Sequence, residues 1–363
     1  MTESTSTARK IPVDMRSRDV RVRARTRSSP LSTRGRMGKV SGVRIAATGS
    51  YIPERIVTNE DLVALGCDSE WIIRRTGIRE RRHAAEVQAT SDLCYEAAVP
   101  CIEQANISAD QIDLIIVATI TPDHPTPSTA CHLQRRLGSV APAMDVSAAC
   151  AGFSYALITA AQFIGAGNSR CALVVGADVM SRIINPNDKM TYPLFGDGAG
   201  AVLLTAEPSA AGILSYQMGS EGCGGEMLCV PAGGSRVPLT PEVYATGLQY
   251  MTMDGRNVYK WAVRVIVDSA KQVLDEAQVD ASDVALVVLH QANQRIIDSA
   301  ASELNVPTEK VFVNLEQYGN TSAGSIPLAM DEAIRSGKVQ QGDLVLLCGF
   351  GAGLAWGTAL MRW

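Results

Sequence analysis

Three residues have the types and positions needed for covalent acyl transfer: Cys150, His290 and Asn320. Cys150 follows the strand-like run AMDV and opens the helix-like segment CAGFSYALITAAQF. A thiol at the start of a helix lies beside unpaired backbone N–H groups and the positive end of the helix dipole, which favour the nucleophilic thiolate. We therefore predict a nucleophile at Cys150; an inert core cysteine is the alternative.

His290 and Asn320 each follow a strand-like run. His290 ends the run VALVVL, and Asn320 lies in the loop QYGNTSAG after KVFV. The carboxyl ends of parallel strands are where α/β folds place their chemistry. Taken singly, His290 also fits a structural histidine, and Asn320 also fits a turn residue, because Gly-Asn pairs are common in turns.

Two glycine-rich segments have the composition of binding loops. Residues 349–353 (GFGAG) follow the last buried strand and could direct backbone N–H groups at an oxyanion. They lack the G-x-G-x-x-G spacing of a dinucleotide site. Residues 196–200 (GDGAG) lead into a strand, not a helix, which argues against a phosphate loop.

The elements that must position these residues alternate between short apolar runs and helix-like segments, which is an α/β pattern. The predicted strands are 43–49, 114–119, 141–145, 172–177, 199–205, 284–289, 310–313 and 344–348. The predicted helices are 59–65, 92–105, 127–137, 150–165, 258–277, 291–304 and 325–336.

The two halves of the chain resemble each other. ISADQIDLIIVAT around residue 113 matches VDASDVALVVLH around residue 283, an offset of 170. CALVVGAD at 171 matches LVLLCGFGAG at 344, with Gly176 and Gly349 offset by 173. Two matches at nearly equal offsets predict a duplicated unit of about 170 residues, although any two buried strands look alike.

Charge separates a short N-terminal piece from the rest. Residues 1–36 carry a net charge of +7 and are rich in Ser and Thr, whereas residues 37–363 carry −11. We interpret 1–36 as a disordered basic extension. It could be a transit peptide, a tail for nucleic acid or a membrane surface, or the product of a start codon placed too early; we favour the last, because Met37 begins a coherent domain.

Composition excludes several classes of protein. The chain is acidic overall, at −4, which argues against a nucleic-acid partner, and its longest uncharged stretches are too polar and Gly-rich to span a membrane. The nine cysteines show no C-x-x-C spacing and there are only four histidines, so we expect no metal site and no disulfide framework. A reducing, cytoplasmic location follows, with plastid import left open if residues 1–36 are genuine.

Five segments together match one family. AACAGFSYAL, HQANQRI, YGNTSAGSIPLAMDEA, FGDGAGAVLL and WIIRRTGIRERR closely resemble the β-ketoacyl-acyl carrier protein synthase III branch of the thiolase superfamily, from about Val43 to Trp363. The resemblance implies an α/β, thiolase-like five-layered α-β-α-β-α fold from two duplicated halves, a homodimer and a Cys-His-Asn site. Residues 37–210 would form the half with the nucleophile, and residues 211–363 the half with His and Asn.

The resemblance also implies a reaction. Cys150 would take the acyl group of an acyl-CoA primer, and His290 and Asn320 would hydrogen-bond the thioester carbonyl of malonyl-acyl carrier protein while it loses CO2. The backbone N–H groups of Cys150 and Ala352 would bind the oxyanion. The product would be a 3-oxoacyl-acyl carrier protein, the first step of fatty acid biosynthesis, with no cofactor beyond the CoA thioesters.

Other residues correspond to family positions that bind substrate. Trp71, Arg75, Lys189 and Asn293 would contact CoA; Lys189 stands where members often carry Arg, and lysine stacks less well on adenine. Thr126 stands where some members carry a Phe that closes the acyl pocket, so we expect primers longer than acetyl, including branched ones, to be accepted.

An acidic carrier protein needs a basic surface on this acidic chain. Lys260, Arg264 and Lys271 fall on one stripe of a predicted helix, which is equally typical of an ordinary solvated face. The segment after His290, namely Gln291, Ala292, Asn293, Gln294 and Arg295, is the other carrier contact that the resemblance implies.

Four alternatives remain at this stage. The order Cys, His, Asn also occurs in papain-like proteases, but those carry the cysteine near the mature N-terminus and are disulfide-bonded. A related thiolase-superfamily acyltransferase, or a polyketide- or secondary-metabolite-priming synthase, would share all three residues. A silent partner subunit is disfavoured because the three residues are all present.

Overall fold

Two five-stranded sheets run through the part of the chain that the computed structural model describes, residues 31–209 and 212–363. The strands are β1 (Arg36–Val40), β2 (Val43–Tyr51), β3 (Arg55–Thr58), β4 (Glu80–His83), β5 (Leu114–Ala118), β6 (Ala143–Val146), β7 (Cys171–Asp178), β8 (Gly198–Ala206), β9 (Ile213–Ser220), β10 (Leu228–Cys229), β11 (Thr252–Met253), β12 (Leu286–Leu289), β13 (Leu344–Gly351) and β14 (Ala355–Arg362). The helices are α1 (Ser69–Thr76), α2 (Thr90–Gln104), α3 (Thr129–Leu137), α4 (Gly152–Gly165), α5 (Pro241–Thr246), α6 (Gly255–Ala277), α7 (Gln294–Glu303), α8 (Leu315–Tyr318) and α9 (Ser325–Arg335).

Four strands have the same order and directions in the two large sheets, because β2-β8-β7-β5 in the first corresponds to β9-β14-β13-β12 in the second. The first runs β2-β8-β7-β5-β6, and the second runs β1-β9-β14-β13-β12. Strand β7 pairs antiparallel with β8 in the first sheet, as β13 does with β14 in the second. On its other side, β7 pairs parallel with β5, as β13 does with β12. In the first sheet β6 pairs parallel with β5. At the equivalent place in the second sheet there is only a single parallel bridge, between Val311 and Val287 of β12. The order and strand directions support the predicted duplication.

Five layers result from this arrangement. Helices α4 and α9 pack between the sheets in a central core that includes Phe153, Leu157, Ile326 and Met330. Helices α2 and α3 cover the outer face of the first sheet, and α6 and α7 cover the outer face of the second. The α-β-α-β-α architecture predicted from the sequence is therefore observed.

Strands buried on both faces explain the continuous apolar runs in the sequence. Strand β5 (LIIVA) is buried at every position, and so is β13 (LVLLCGFG). A parallel sheet covered by helices on both sides requires such runs, because neither face meets water. Helix α6 instead buries one stripe, including Trp261, Val265 and Leu274, and exposes its other side.

Most predicted elements are present, with differences where pairing is weak or non-local. Residues 310–313 form no strand and contribute only the bridge at Val311. The unpredicted elements are strands β1, β3, β4, β9, β10, β11 and β14 and helices α1, α5 and α8. Strand β14 (AWGTALMR) is stabilised by β9 and β13 on its two sides, and β1 is stabilised by β9, so their identity depends on partners far along the chain.

The predicted N-terminal boundary needs correction at its end. Residues 31–36 of the predicted disordered extension lie against the second half: Thr33 Oγ1 donates to Asp268 at 2.7 Å, and Arg264 donates to the Leu31 carbonyl. Strand β1 then joins the second sheet, although the sequence assigned residues from 37 onward to the first half. Residues 1–30 lie outside the described residues.

Two short 3₁₀ turns occupy equivalent places in the two halves. Residues 149–151 precede α4 and residues 322–324 precede α9, again an offset of 173. Ala149 (φ 46°) and Ser322 (φ 50°) open these turns in the left-handed region, which is unusual for residues other than glycine. The carboxyl ends of β7 and β13 pack against these turns, where Gly176 and Gly349 have no side chain to block the approach.

Within the described ranges, the chain has no helix whose length and apolar character would let it cross a membrane.

Candidate active site

Cys150, His290 and Asn320 line one cavity of about 590 Å³. Cys150 comes from the turn before α4, His290 from the end of β12, and Asn320 from the segment before α9. All three side chains are almost fully buried, with 7%, 1% and 6% of their surface exposed, respectively. The predicted catalytic residues are thus brought together from both halves of the fold.

The turn that carries Cys150 touches the end of β13. A Cβ atom built on Gly351 would lie 2.9 Å from both the Cys150 N and Cβ atoms, so any side chain there would displace the nucleophile. In the other half the equivalent position is Asp178, whose carboxylate accepts from the Ala323 N–H at 3.1 Å. Glycine at 351 therefore leaves the Cys150 amide accessible to a substrate oxygen.

The ionisation of Cys150 differs from the sequence-based expectation. Burial raises the pKa of the thiol to about 12, the hydrogen bond to Ser322 opposes this, and the buried Asp178 carboxylate raises it further. The sequence analysis placed Cys150 at the first residue of a helix, where a thiolate is favoured. Helix α4 begins only at Gly152, after the 3₁₀ turn that holds Cys150. The resting nucleophile is a thiol, because desolvation outweighs the helix terminus.

His290 is held by contacts on three sides. Its backbone N–H donates to Cys348 O at 2.8 Å, its Nδ1 lies 2.7 Å from Ser325 Oγ, and its ring meets the Phe350 ring edge to face at 5.1 Å. Burial lowers the pKa of His290 to about 3. The imidazole is neutral at physiological pH and can serve as a hydrogen-bond donor without carrying charge.

Asn320 is fixed by its own backbone and by the next turn. Its N–H donates to Leu194 O at 2.8 Å, and its Oδ1 accepts from Ser322 N at 2.8 Å. Because Oδ1 is occupied, the Nδ2 hydrogens are the part of the carboxamide left for the cavity. Asn320 can therefore donate to a bound carbonyl.

Basic and aromatic side chains are part of the cavity lining. The Arg75 guanidinium stacks on the Trp71 ring at 4.6 Å, and both residues line the cavity together with exposed Lys189. Guanidinium groups, ammonium groups and an indole ring are suited to a phosphorylated nucleotide. All four residues predicted to contact CoA, including Asn293, line this cavity.

The residues predicted to contact a carrier protein divide into two groups. Lys260, Ala292, Asn293 and Arg295 line the cavity. The Gln291 side chain is buried and donates to Leu289 O at 2.7 Å, so it is unavailable to a partner; that prediction is wrong for the side chain.

Gln294 also lies outside the cavity. Its Nε2 donates to Asp298 at 2.7 Å within α7, and its Cβ lies against Gly77. Its contact with a carrier stays a prediction for the outer surface.

Two further predicted residues have different outcomes. Ala352 lines the cavity next to Gly351 and Cys150, as an oxyanion donor must. Thr126 is exposed in the segment between β5 and α3 and does not line the cavity. Its place beside an acyl pocket stays a prediction.

Sequence reasoning missed two serines that contact the predicted catalytic side chains. Ser322 Oγ lies 3.5 Å from Cys150 Sγ, and Ser325 Oγ contacts His290. Both belong to the motif YGNTSAGSIPLAMDEA, but nothing in that motif indicates which side chains they meet.

Across residues 31–209 and 212–363, no group of three or more His, Cys, Asp or Glu is placed to bind a metal ion. The expectation of no cofactor stays a prediction.

The buried histidines predict how stability depends on pH. Burial lowers the pKa of His83 to about 4 and that of His290 to about 3, against 6.5 for an ordinary histidine. Unfolded chains bind these protons first, so the stabilisation is present above about pH 6.5 and is lost as the pH falls through 4. We expect the free energy of unfolding, measured by urea titrations between pH 7.5 and 4.5, to fall as the pH is lowered. It should fall less steeply in His83→Gln.

The matched control is His124→Gln, because His124 is exposed. This variant should keep the slope of the wild-type chain. Equal slopes for all three proteins would show that the buried imidazole of His83 does not govern acid sensitivity.

Comparison with known proteins gives one consistent result. The profile described as 3-oxoacyl-(acyl-carrier-protein (ACP)) synthase III matches residues 144–222, and the profile of its C-terminal part matches residues 274–363. A protein of Rhodopirellula baltica named beta-ketoacyl-(acyl-carrier-protein) synthase III is 68% identical over 345 residues, covering 90% of this chain and 100% of its own.

Solved structures agree with this result. The chain is similar to 3-oxoacyl-(acyl-carrier-protein) synthase III from Aquifex aeolicus, with a TM-score of 0.83, 43% identity and coverage of 89% of this chain and 100% of that one. It is also similar to the priming β-ketosynthase of a polyketide biosynthetic pathway, with a TM-score of 0.82, 35% identity and coverage of 89% and 97%.

Proposed function

The chain belongs to the β-ketoacyl-acyl carrier protein synthase III family, and we propose from this premise how its residues perform the reaction. It is an acyltransferase that initiates fatty acid synthesis by decarboxylating condensation. The substrates are an acyl-CoA primer and malonyl-acyl carrier protein. The products are 3-oxoacyl-acyl carrier protein, CoA and CO2. The convergence of Cys150, His290 and Asn320 on one cavity carries the assignment of residues.

The first half-reaction acylates Cys150. Its sulfur attacks the thioester carbonyl of the primer, the C–S bond to CoA breaks, and the thiol proton ends on the CoA sulfur. The oxyanion of the tetrahedral intermediate is placed at the Cys150 and Ala352 N–H groups, next to the space that Gly351 keeps open. The nucleotide of the primer contacts Trp71 and Arg75, which line the cavity.

The second half-reaction makes the new carbon–carbon bond. His290 and Asn320 donate hydrogen bonds to the thioester carbonyl of the malonyl group. Loss of CO2 then leaves an enolate whose charge lies on that oxygen. Its carbon attacks the acyl-Cys150 carbonyl, the C–S bond to Cys150 breaks, and the thiolate that leaves takes up a proton from water to restore the thiol. Each donor in such a buried site lowers the barrier by about 2.7–4 kcal/mol, and the proposed steps use no metal or redox cofactor.

A homodimer is part of the proposal. Strand β6 forms the edge of the first sheet, and none of its residues is fully buried. Val140, just before it, is 87% exposed. An edge strand with an apolar neighbour needs a cover, and a second copy provides it. Thr126 lies in the segment that leads into α3, and the first amides of α3 donate to Asp145 of the edge strand β6. A role of Thr126 in an acyl pocket therefore requires the cavity of the second copy.

The carrier protein docks, in this proposal, where Lys260 and Arg295 flank the cavity. Both are exposed, and Arg295 stacks on Tyr259 at 5.7 Å. We expect the double reversal Lys260→Glu with Arg295→Glu to raise KM for malonyl-acyl carrier protein about tenfold, because charge repulsion weakens encounter with an acidic partner.

Initial rates at varied carrier substrate measure this effect. Acylation by acyl-CoA alone should be unchanged. As a control, Lys271→Glu alters the same helix away from the cavity and should keep the KM of the wild-type chain. An unchanged KM in the double variant would remove this surface from the proposal.

The function is tested with a matrix of acyl-CoA primers of increasing length and branching against malonyl-CoA and malonyl-acyl carrier protein. Mass spectrometry of the intact protein detects the acyl-enzyme, and CO2 release reports condensation. The expected result is both signals, with malonyl-acyl carrier protein preferred over malonyl-CoA and primers longer than acetyl accepted. Acyl-enzyme without CO2 would indicate simple acyl transfer.

The polyketide-priming alternative is less favoured. The identity to the fatty acid-type relative is 68%, against 35% for the polyketide-priming structure. We also place the protein in the cytoplasm, a proposal supported by nine cysteines that are all free thiols.

A further inference from the structure

Two serines of the segment that carries Asn320 contact the other two catalytic side chains. Ser322 and Ser325 are 0% and 2% exposed, and they face Cys150 and His290, respectively. The segment therefore reaches all three groups from one side. We propose that Ser322 and Ser325 are positioning residues that determine where the hydrogens lie at Cys150 and His290. This inference rests on the proposed function.

The contacts around Ser325 determine a direction for its hydrogen bond to His290. The Gln291 N–H lies 3.4 Å from Ser325 Oγ, and a backbone amide can only donate. Within the part of the chain that the structure describes, the other hydrogen-bond partner of Ser325 Oγ is His290 Nδ1 at 2.7 Å. The serine hydrogen thus points to Nδ1, and the ring hydrogen lies on Nε2.

A hydrogen on Nε2 is what the second half-reaction needs. Only a protonated Nε2 can donate to the malonyl carbonyl and to the enolate that follows. The neutral ring would otherwise exchange between two forms, one of which presents a lone pair to a negative oxygen. Ser325 selects the productive form without touching the substrate.

The contacts around Ser322 determine a second direction. The Cys150 thiol donates to Ser322 Oγ at 3.5 Å, so the serine oxygen is the acceptor in this contact. At rest, the hydroxyl hydrogen of Ser322 therefore points away from the Cys150 sulfur.

Ionisation of the thiol changes the requirement on Ser322. A thiolate needs a donor, and the Ser322 hydroxyl, which already contacts the sulfur at 3.5 Å, carries a hydrogen that it can give. Rotation of that hydroxyl supplies the donor. Ser322 thus eases thiolate formation in a site where desolvation opposes it.

The Ser322 backbone has a separate task. Its N–H donates to Asn320 Oδ1 at 2.8 Å, and this bond survives any change of the side chain. Truncation of Ser322 should therefore affect the nucleophile and spare the carboxamide. Truncation of Ser325 should do the reverse, because its hydroxyl serves only the histidine among these three groups.

The experiment measures the two half-reactions separately in Ser322→Ala and Ser325→Ala. Ser322→Ala should alkylate with iodoacetamide and acylate with acyl-CoA about tenfold more slowly, with its alkylation profile shifted to higher pH, because a hydrogen bond to a charged group is worth about a factor of ten. Its malonyl decarboxylation should stay within about twofold of the wild-type rate.

Ser325→Ala should show the opposite pattern. We expect malonyl decarboxylation to fall at least about tenfold, since outright loss of such a donor costs on the order of 10²–10³. Acylation and the alkylation profile should not change. Ser154→Ala is the matched control, because Ser154 is 2% exposed in α4 and its Oγ has no hydrogen-bond partner among the described residues.

Two further measurements test the proposal if either alanine variant fails to fold. Ser322→Gly also lacks the hydroxyl and accommodates the positive φ of 50°. For Ser325, ¹⁵N spectra of the wild-type chain labelled at its four histidines should show His290 protonated at Nε2. A hydrogen on Nδ1 would overturn the assignment for Ser325.

The remaining outcomes separate the inference from the function on which it rests. If the wild-type chain formed no acyl-enzyme or released no CO2, the proposed function would fail. If it did both, and the two serine variants were unchanged or lost both half-reactions equally, the positioning role would be wrong. Equal losses in Ser154→Ala would assign the effects to packing and would likewise overturn it.

Discussion

Cys150→Ser is expected to lower the rate of condensation on the order of 10⁴-fold or more, because the thioester intermediate can no longer form. Serine preserves the volume of the site, but its hydroxyl is a weaker nucleophile in a place where burial already opposes an anion. Intact-mass spectrometry after incubation with acyl-CoA should show no added acyl group. The coupled assay with malonyl-acyl carrier protein should give no 3-oxoacyl product.

The same variant should keep some decarboxylation of malonyl-acyl carrier protein. His290 and Asn320 are untouched, and their contacts to Ser325 and Ser322 do not involve the sulfur. Cys131→Ser is the control, since Cys131 is an exposed thiol on α3 outside the cavity. An acyl adduct on Cys150→Ser, or its loss in Cys131→Ser, would show that the nucleophile lies elsewhere.

Asn320→Asp should separate the two half-reactions. The aspartate keeps an oxygen for the Ser322 N–H but has no N–H to give to the malonyl carbonyl. It also adds a negative charge beside a developing enolate. We expect condensation and decarboxylation to fall on the order of 10²–10³-fold, the usual loss for one oxyanion donor. Acylation of Cys150 should change little, because the primer carbonyl is served by backbone N–H groups.

Single-turnover acylation and CO2 release measure the two steps of this variant. Asn305→Asp provides the same chemical change at an exposed residue with positive φ, and both its rates should match those of the wild-type chain. An equal loss of acylation and decarboxylation in Asn320→Asp would indicate a general distortion of the cavity. Full decarboxylation would exclude Asn320 as the carbonyl donor.

The two large predictions also distinguish the roles of the two halves of the fold. The nucleophile belongs to the first half, and the histidine and asparagine belong to the second. The pseudo-equivalent turns at 149–151 and 322–324 meet where the halves join, so the half with the nucleophile depends on the other half for its hydrogen-bond partner. This arrangement explains why the duplicated fold has one site and not two in the described chain. Gly351 leaves the Cys150 amide of the first turn accessible, whereas the equivalent Asp178 accepts the hydrogen of the Ala323 amide in the second turn.

Local sequence determined the identity of the three catalytic residues and most of the elements that hold them. Strands such as β5 and β13 are continuous apolar runs, and residues that follow such strands come together at one end of a sheet. The repeat of these runs at offsets near 170 gave the duplication. These signals are readable because they depend on neighbours within a few positions along the chain.

Only the tertiary structure decided the state of these residues and the limits of their surroundings. Thr126 and the Gln291 side chain proved to lie outside the cavity, and residues 31–36 proved to be part of the fold. Each of these outcomes depends on which distant segment packs against the residue, which short-range patterns do not encode.

The same holds for protonation. A cysteine before a helix reads as a thiolate, yet burial by both halves makes Cys150 a thiol. Desolvation and hydrogen bonding depend on what surrounds an atom in three dimensions, and the partners here, Ser322 for Cys150 and Ser325 for His290, are 172 and 35 residues away. Residue types specified the possible chemistry, and long-range contacts set the charges and hydrogen positions with which it proceeds.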